Sequence, residues 1–281
     1  MVNIPLGVSS HQRQIAKEPE IKVLNRFFET NPTNLVDQVS LLTRPYIEAL
    51  DNVGDGPISN LYQQDGAFDS DLFIVSDNDI YRRDAVTGVD TKLTGTVDTT
   101  GTPSLAATVV AGVSTLFVAD GTSTFQYALD ANTLTSISTP DSVGIVYVAT
   151  INSYTICVVN NSRRFYWLEP GSVAFNSLHF AEVERTGGKL LNVTVLGDNI
   201  FFFKEDTTEI WFPTGNLDAP FQRIQGRLWD RGIWEGTALR VQDEMLLVGD
   251  DGIVYSVLGG PQRISTHGIE ERIKAAMKVS G

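Results

Sequence analysis

One phrase constrains this sequence more than anything else in it. Two short apolar strands joined by a polar turn return five times, as DLFIV/DIYRR, STLFVAD/TFQYAL, YTICVV/RFYWL, NIFFFK/EIWF and EMLLVG/IVYSV. Aligning Phe73, Phe117, Cys157, Phe202 and Leu247 gives spacings of 44, 40, 45 and 45 residues. The second-strand aromatics Tyr81, Tyr127, Trp167, Trp211 and Tyr255 give 46, 40, 44 and 44. A period of about 40–50 residues built from short strands is that of β-propeller blades, about four strands each. The turns carry the Asp, Asn and Gly that hairpins require, as at Asp77-Asn78, Asp120-Gly121, Asn160-Asn161 and Asp251-Gly252. A single twisted sheet cannot bury both faces, so radial stacking of blades is the expected solution.

The expected fold is therefore all-β, a β-propeller of about five four-stranded blades. A sixth could be assembled from residues 40–68 and the C-terminus. The last two copies are the most alike. Strands Ile200–Phe203 and Met245–Val248 lead to Glu209–Phe212 and Ile253–Val257, and then to Gln-Arg-Ile strands at Phe221–Ile224 and Pro261–Ile264. Phe201, Phe202, Phe203, Trp211, Phe212 and Trp167 are the leading core candidates.

The flanks read differently. Residues 1–39 form an arm and edge segment whose first apolar cluster is Leu24–Phe28, and residues 40–267 form the propeller. Ser40–Ile47 reads as extended, because the residue before Pro45 disfavours helix. Residues 268–281 carry a short amphipathic helix over 268–279. Ile269, Ile273, Ala276 and Met277 recur at helical spacing, with Glu270 placed to pair with Lys274.

Composition narrows the function. The formal charge is −13, and residues 51–160 hold 13 acidic side chains, all Asp, against 3 basic ones. Phosphate binding needs clustered Lys and Arg, so this stretch is not built to grip nucleic acid. Cys157 is the only cysteine and sits in the apolar run TICVV, a packing position. The first thirty residues are charged throughout and lack an apolar signal region, so folding in a cytoplasm is expected. No run approaches the roughly 18 apolar residues of a membrane span.

Catalytic patterns are missing. His11, His179 and His267 lie far apart in sequence, and Ser265-Thr266 before His267 has no nucleophile-elbow context. Asp69-Ser70-Asp71, Asp77-Asn78-Asp79 and Asp250-Asp251-Gly252 lack the alternating spacing of a calcium loop and read as turns. A propeller with two opposed carboxylates could cleave glycans, but no pair stands out among 34 acidic residues. No catalytic, cofactor or metal residue is assigned. Trp229-Asp230 occurs once rather than once per blade, unlike a WD-type scaffold.

Four motifs carry a family resemblance. They are TTEIWFPTGN at Thr207–Asn216, APFQRIQG at Ala219–Gly226, RGI at Arg231–Ile233 and PQRISTHGIE at Pro261–Glu270. Their order and spacing resemble the packaged-DNA stabilisation proteins of short-tailed bacteriophages, also called tail hub or nozzle proteins, over residues 190–273. Upstream, Leu24–Phe28 and Thr43–Ile47 occupy the places of an asparagine-aromatic segment and a proline turn, with Tyr46 replacing a small residue.

The resemblance carries the family's structural motif onto Glu209, Trp211, Thr214, Gly215, Phe221, Gln222, Arg223, Arg231, Gly232, Gln262, Arg263, Ser265, Thr266 and His267. It implies a virion protein of the phage tail, not an enzyme. Such a protein forms a ring, a hexamer, below the portal and its adaptor. DNA passes through its channel without specific recognition, and a plug or needle and fibres or spikes attach distally. No cofactor and no membrane are implied. Relatives continue well past the equivalent of Ile273, so the distal region is expected either to be a separate polypeptide or to be missing, and the plug and fibre contacts to lie outside this chain. Phe27, Phe28, Ile269, Ile273 and Met277 are the candidate assembly contacts, and part of the Asp-rich 51–160 surface is expected to face the lumen. A glycan-binding or glycan-cleaving propeller is the alternative, and a generic propeller scaffold the third reading.

Overall fold

Short runs of β-branched and aromatic residues, each bounded by turn formers, set the strands. The structure is a computed structural model, and it describes residues 26–30, 39–43, 51–129, 131–257 and 259–279. Two strands precede the blades: β1 (Arg26–Thr30) and β2 (Val39–Thr43) pair antiparallel. Blade one comprises β3 (Ile58–Tyr62), β4 (Leu72–Ser76), β5 (Asp79–Arg83) and β6 (Asp90–Lys92). Blade two comprises β7 (Ser104–Val110), β8 (Val113–Ala119), β9 (Thr124–Ala128) and β10 (Thr135–Ser136). Blade three holds β11 (Ile145–Ile151), β12 (Tyr154–Val159), β13 (Arg164–Leu168) and β14 (Phe180–Glu182). Blade four holds β15 (Asn192–Leu196), β16 (Asn199–Phe203), β17 (Thr208–Pro213) and β18 (Phe221–Trp229). The fifth sheet runs β19 (Leu239–Val241), β20 (Glu244–Val248), β21 (Val254–Val257) and β22 (Pro261–Arg263), and helix α1 (His267–Val279) follows.

This is a five-bladed β-propeller of four-stranded antiparallel sheets with one C-terminal helix. Among the described residues there is no sixth sheet of four strands. Residues 58–62 are the first strand of blade one, and β2 pairs with β1. The arm residues 1–25 lie outside the described residues, as do 44–50 of the expected extended segment. Contacts divide the chain into two compact units, residues 52–250 and residues 1–51 with 251–281.

Within residues 52–250 the first strands of successive blades, β3, β7, β11, β15 and β19, lie against one another in order. Three apolar clusters fill the first three junctions. Phe73, Val75 and Ile80 meet Leu105, Leu116, Val118 and Tyr127. Ala106, Phe117 and Ala119 meet Val148, Cys157, Val159 and Tyr166. Ile156, Val158, Phe165 and Trp167 meet Val193, Ile200, Phe202, Trp211 and Phe221. The expected core aromatics are buried except Phe212, which is half-buried.

The structural repeat differs from the sequence alignment by one residue. Phe73 and Phe117 face the following blade, whereas Cys157 and Phe202 face the preceding one. Strand side chains alternate with period two, so the 40-residue interval between Phe117 and Cys157 joined residues of opposite faces. Ile156 and Val158 are the residues of β12 that face forward.

Side chains also hook neighbouring blades together. Asn60 Nδ2 donates to Pro103 O at 2.7 Å, and the Tyr62 hydroxyl accepts from Ala107 N at 2.8 Å. Ser104 Oγ accepts from Val148 N at 3.0 Å, and Asn192 Nδ2 donates to Ala238 O at 3.3 Å. These hooks span 43, 45, 44 and 46 residues, one repeat each. Burial pushes the Tyr62 phenol up to about 12, against the opposing pull of the Ala107 N–H, so it stays neutral.

Candidate functional site

The family-like motif of blade four builds a buried junction where three chain segments meet. Phe203 ends β16, and Lys204 follows it into the interior, where it and Glu209 are each 1% exposed. Their Nζ and Oε1 lie 3.4 Å apart. The Lys204 ammonium also donates to Val183 O, to Thr186 O at 2.7 Å and to Thr186 Oγ1 at 3.5 Å. Glu209 Oε1 accepts from Arg185 N at 3.1 Å. Residues 183–186, which lead from blade three to blade four, are thereby tied to the β16–β17 turn. Burial lowers the Lys204 pKa, and attraction to Glu209 offsets only part of that.

The connection from blade four to blade five docks on the same turn. Thr208 Oγ1 donates to Arg231 O at 3.0 Å, and Ile233 N donates to Lys204 O at 3.2 Å. Gly232 sits so close that a Cβ there would lie 1.6 Å from Glu205 O. Arg231 Nη1 is 4.0 Å from Asp250 Oδ1. Glycine in the RGI motif is therefore required by close backbone approach.

The remaining motif positions pack or turn. Trp211 stands edge-on to Phe165 and Phe202, with centroids 5.6 and 5.8 Å apart. Phe221 meets the Trp167 ring edge-on at 5.8 Å. Thr214 closes the 213–220 loop, its Oγ1 donating to Ala219 O at 2.7 Å, and Gly215 takes a φ of +76°. Gln222 and Arg223 stand opposite Phe212 and Trp211 in the β17–β18 register. Gln222 is exposed and Arg223 half-buried.

In the other unit, the PQRISTHGIE motif anchors the helix. Glu270, 2% exposed, accepts from Arg263 Nε and Nη2 at 2.7 Å each and from Ser265 Oγ at 2.7 Å. Burial raises the Glu270 pKa, but the Ser265 and Arg263 hydrogen bonds outweigh it, and the net direction is down. Ser265 Oγ also accepts from Val254 N at 3.0 Å, so its hydroxyl is engaged structurally on both sides. Thr266 O receives the N–H groups of Ile269 and Glu270, and His267 Nδ1 lies 4.0 Å from Glu270 Oε2. Gln262, exposed, is opposite Ser256.

The expected Glu270–Lys274 pair is not the one formed. Glu270 binds Arg263, and Lys274 Nζ lies 3.8 Å from Glu271. A bidentate guanidinium contact to a buried carboxylate is stronger than an exposed pair within one helix, worth about 0.2–0.5 kcal/mol. Ile269 is 51% exposed, whereas Ile273 and Met277 are half-buried. Phe27 and Phe28 lie on β1 in register with Leu42 and Leu41.

The Asp-rich spots are turns and ion pairs. Asp77 has a φ of 52°, Asp71 holds Arg82 at 2.5 Å, and Asp79 holds Lys92 at 2.6 Å. Arg83–Asp90 and Arg164–Glu182 are equivalent third-to-fourth-strand pairs of blades one and three. Cys157 is fully buried, and burial pushes its thiol up, away from reactivity. Among the described residues no cluster of three or more His, Cys, Asp or Glu could hold a metal ion, and no helix is long and apolar enough to cross a membrane. Lys204 was not singled out from sequence. Its signal was a lysine joined directly to the apolar run NIFFF, ahead of Glu205 and Asp206.

The family described as "Bacteriophage P22 Gp10, beta-propeller" matches residues 37–279. This chain belongs to that phage stabilisation family. It is thus a structural protein of the phage virion. Among curated proteins no sequence matches. Solved structures are similar in fold. The extracellular domain of BT4673 from B. thetaiotaomicron aligns with a TM-score of 0.50 at 13% identity, over 81% of this chain and 30% of that one. A chain of BBS1N in complex with ARL6DN aligns at 0.47 and 9% identity, over 82% and 72%. The computationally designed Ika8 protein aligns at 0.47 and 9%, over 84% and 69%.

Proposed function

We propose that this chain of the phage stabilisation family is a tail nozzle or hub subunit. It assembles as a ring, a hexamer, docks below the portal adaptor, continues the DNA channel and helps retain packaged DNA. The family match across residues 37–279 carries the reading. Charge supports it: 13 Asp against 3 basic residues over 51–160 would let DNA slide along a lumen wall rather than grip it. The exposed Ile269 on α1 and the β1 residues Phe27 and Phe28 are the proposed assembly contacts. A plug or needle and fibres or spikes are the further proposed partners.

Negative-stain imaging of the purified chain, alone and with portal–adaptor complexes, tests this. Rings, or density added below the adaptor, are expected. A monomer that ignores those complexes would overturn the proposal and favour glycan recognition.

A further inference from the structure

The outer edge of blade four is unlike the outer edges of the other sheets. Strands β6, β10, β14 and β22 hold 3, 2, 3 and 3 residues, whereas β18 holds 9. Short outer strands blunt a sheet edge against association, and a long one does not. Only the two ends of β18 follow the ladder. Phe221, Gln222 and Arg223 pair with β17, as do Leu228 and Trp229, while Ile224, Gln225, Gly226 and Arg227 between them have no partner there. Gln225, Gly226 and Arg227 are exposed. Such a bulge spoils the edge as a template for an added strand. Recognition at this edge therefore falls to side chains.

The charged ones are arginines without a carboxylate. Arg223 and Arg227 form no ion pair among the described residues. By contrast Lys92 and Arg263, on two of the other outer strands, hold Asp79 and Glu270. The complementary charge lies elsewhere on the same chain. Residues 51–160 carry 13 Asp, the last of them Asp141, and 3 basic residues. Those basic residues, Arg82, Arg83 and Lys92, are already held by Asp71, Asp90 and Asp79. Asp65, Asp69, Asp77 and Asp141 are exposed and make no ion pair among the described residues. Blade three stands between blade four and blades one and two in the packing order of the first strands. A head-to-tail ring joins unlike surfaces of successive copies, so each subunit must carry two patches that complement each other. We propose that the β18 edge, through Arg223 and Arg227, docks on the acidic surface of blades one and two of a second copy of this chain. Guanidinium groups suit the role, since their planar forks match carboxylates. The inference rests on the ring reading and specifies its lateral contact, which takes the part of the Asp-rich surface that does not line the lumen.

Sedimentation of the purified full chain over a range of concentrations, alone and with portal–adaptor complexes, tests the contact. Arg227→Glu should weaken self-association at least about tenfold, because like charges then face each other. Arg240→Glu, at another exposed arginine without an ion pair among the described residues, makes the same change in net charge and should leave association within about twofold of wild type. Equal effects of the two, or an Arg227→Glu variant that associates like wild type, overturn the contact and leave the ring reading standing. No association of wild type in either setting overturns both. Gln225→Cys carrying a photoactivatable cross-linker identifies the occupant in a mixture of nitrogen-15 and unlabelled chains. Links between differently labelled chains, from position 225 to peptides within residues 51–141, are expected. Links only to other peptides of the chain, or to the adaptor or portal, overturn the assignment.

Discussion

Lys204→Met should be among the most damaging single substitutions in the chain. The two charges are each 1% exposed and 3.4 Å apart. Removing the ammonium leaves the Glu209 carboxylate in an apolar junction with Arg185 N as its remaining donor. Breaking a buried ion pair in this way typically costs about 3–5 kcal/mol. Domains are stable by only about 5–15 kcal/mol, so roughly a fifth of the margin or more would go. Replacing both members, Lys204→Met with Glu209→Leu, removes the stranded charge and should return stability to within about 2 kcal/mol of wild type. Urea denaturation followed by tryptophan fluorescence measures each value by linear extrapolation. The pH dependence gives a second readout. Since burial lowers the Lys204 pKa in the folded state, the unfolded chain binds more protons between that lowered value and the ordinary lysine range. Stability should therefore rise with pH across that alkaline window in wild type, and Lys204→Met should lack this contribution. A single variant costing under about 1 kcal/mol, or a double variant as damaged as the two singles summed, would refute the reasoning.

Gly232→Ala forces a Cβ to 1.6 Å from Glu205 O and should cost at least about 2–4 kcal/mol by thermal denaturation. Gly226→Ala, at a φ of +78° with nothing within 4 Å, should cost only about 1–2 kcal/mol, and equal losses would reject the close-approach argument. Cys157 should resist a thiol reagent in the native state and label only on unfolding, as its complete burial requires, so rapid native labelling would contradict the packing. Glu270→Gln should weaken the helix anchor by about 1.5–3 kcal/mol. Because the Glu270 pKa is lowered in the folded state, the wild-type advantage should be complete above the ordinary glutamate range and lost as pH falls through the lowered value. A helix signal in circular dichroism that ignores both changes would count against the anchor.

Much of this architecture was legible because blade strands repeat their aromatic and β-branched runs at a fixed interval. Alignment by letters failed at Cys157, which lies one residue from the forward-facing Ile156 and Val158 and so presents the opposite face. Apolar side chains occupy both faces of β12, so hydrophobicity alone could not set the register. One inner turn was also silent in sequence. Gln242 takes a φ of 55°, a conformation for which glycine or asparagine is the usual signal. At the motif, the letters of E-I-W and R-G-I were conspicuous, but their purpose was not. Lys204 owes its role to carbonyls about 20 residues upstream, Val183 and Thr186, a proximity that only the folded turn creates. Glu270 met a similar limit, since its strand partner Arg263 outcompeted the helical neighbour that spacing suggested.

Each of the first four blades is drawn whole from one continuous stretch, Ile58–Lys92 in the case of the first. None of these four sheets waits for a strand made later, so hydrogen-bonded units are complete in the order in which a ribosome delivers them. The hooks from Asn60 to Pro103 and from Ser104 to Val148 then reach forward, each to the next segment to emerge. Assembly can propagate from a finished blade to its successor by nearest-neighbour contact. A virion component made in many copies at once would thereby expose fewer unpaired strand edges during synthesis, when aggregation competes with folding.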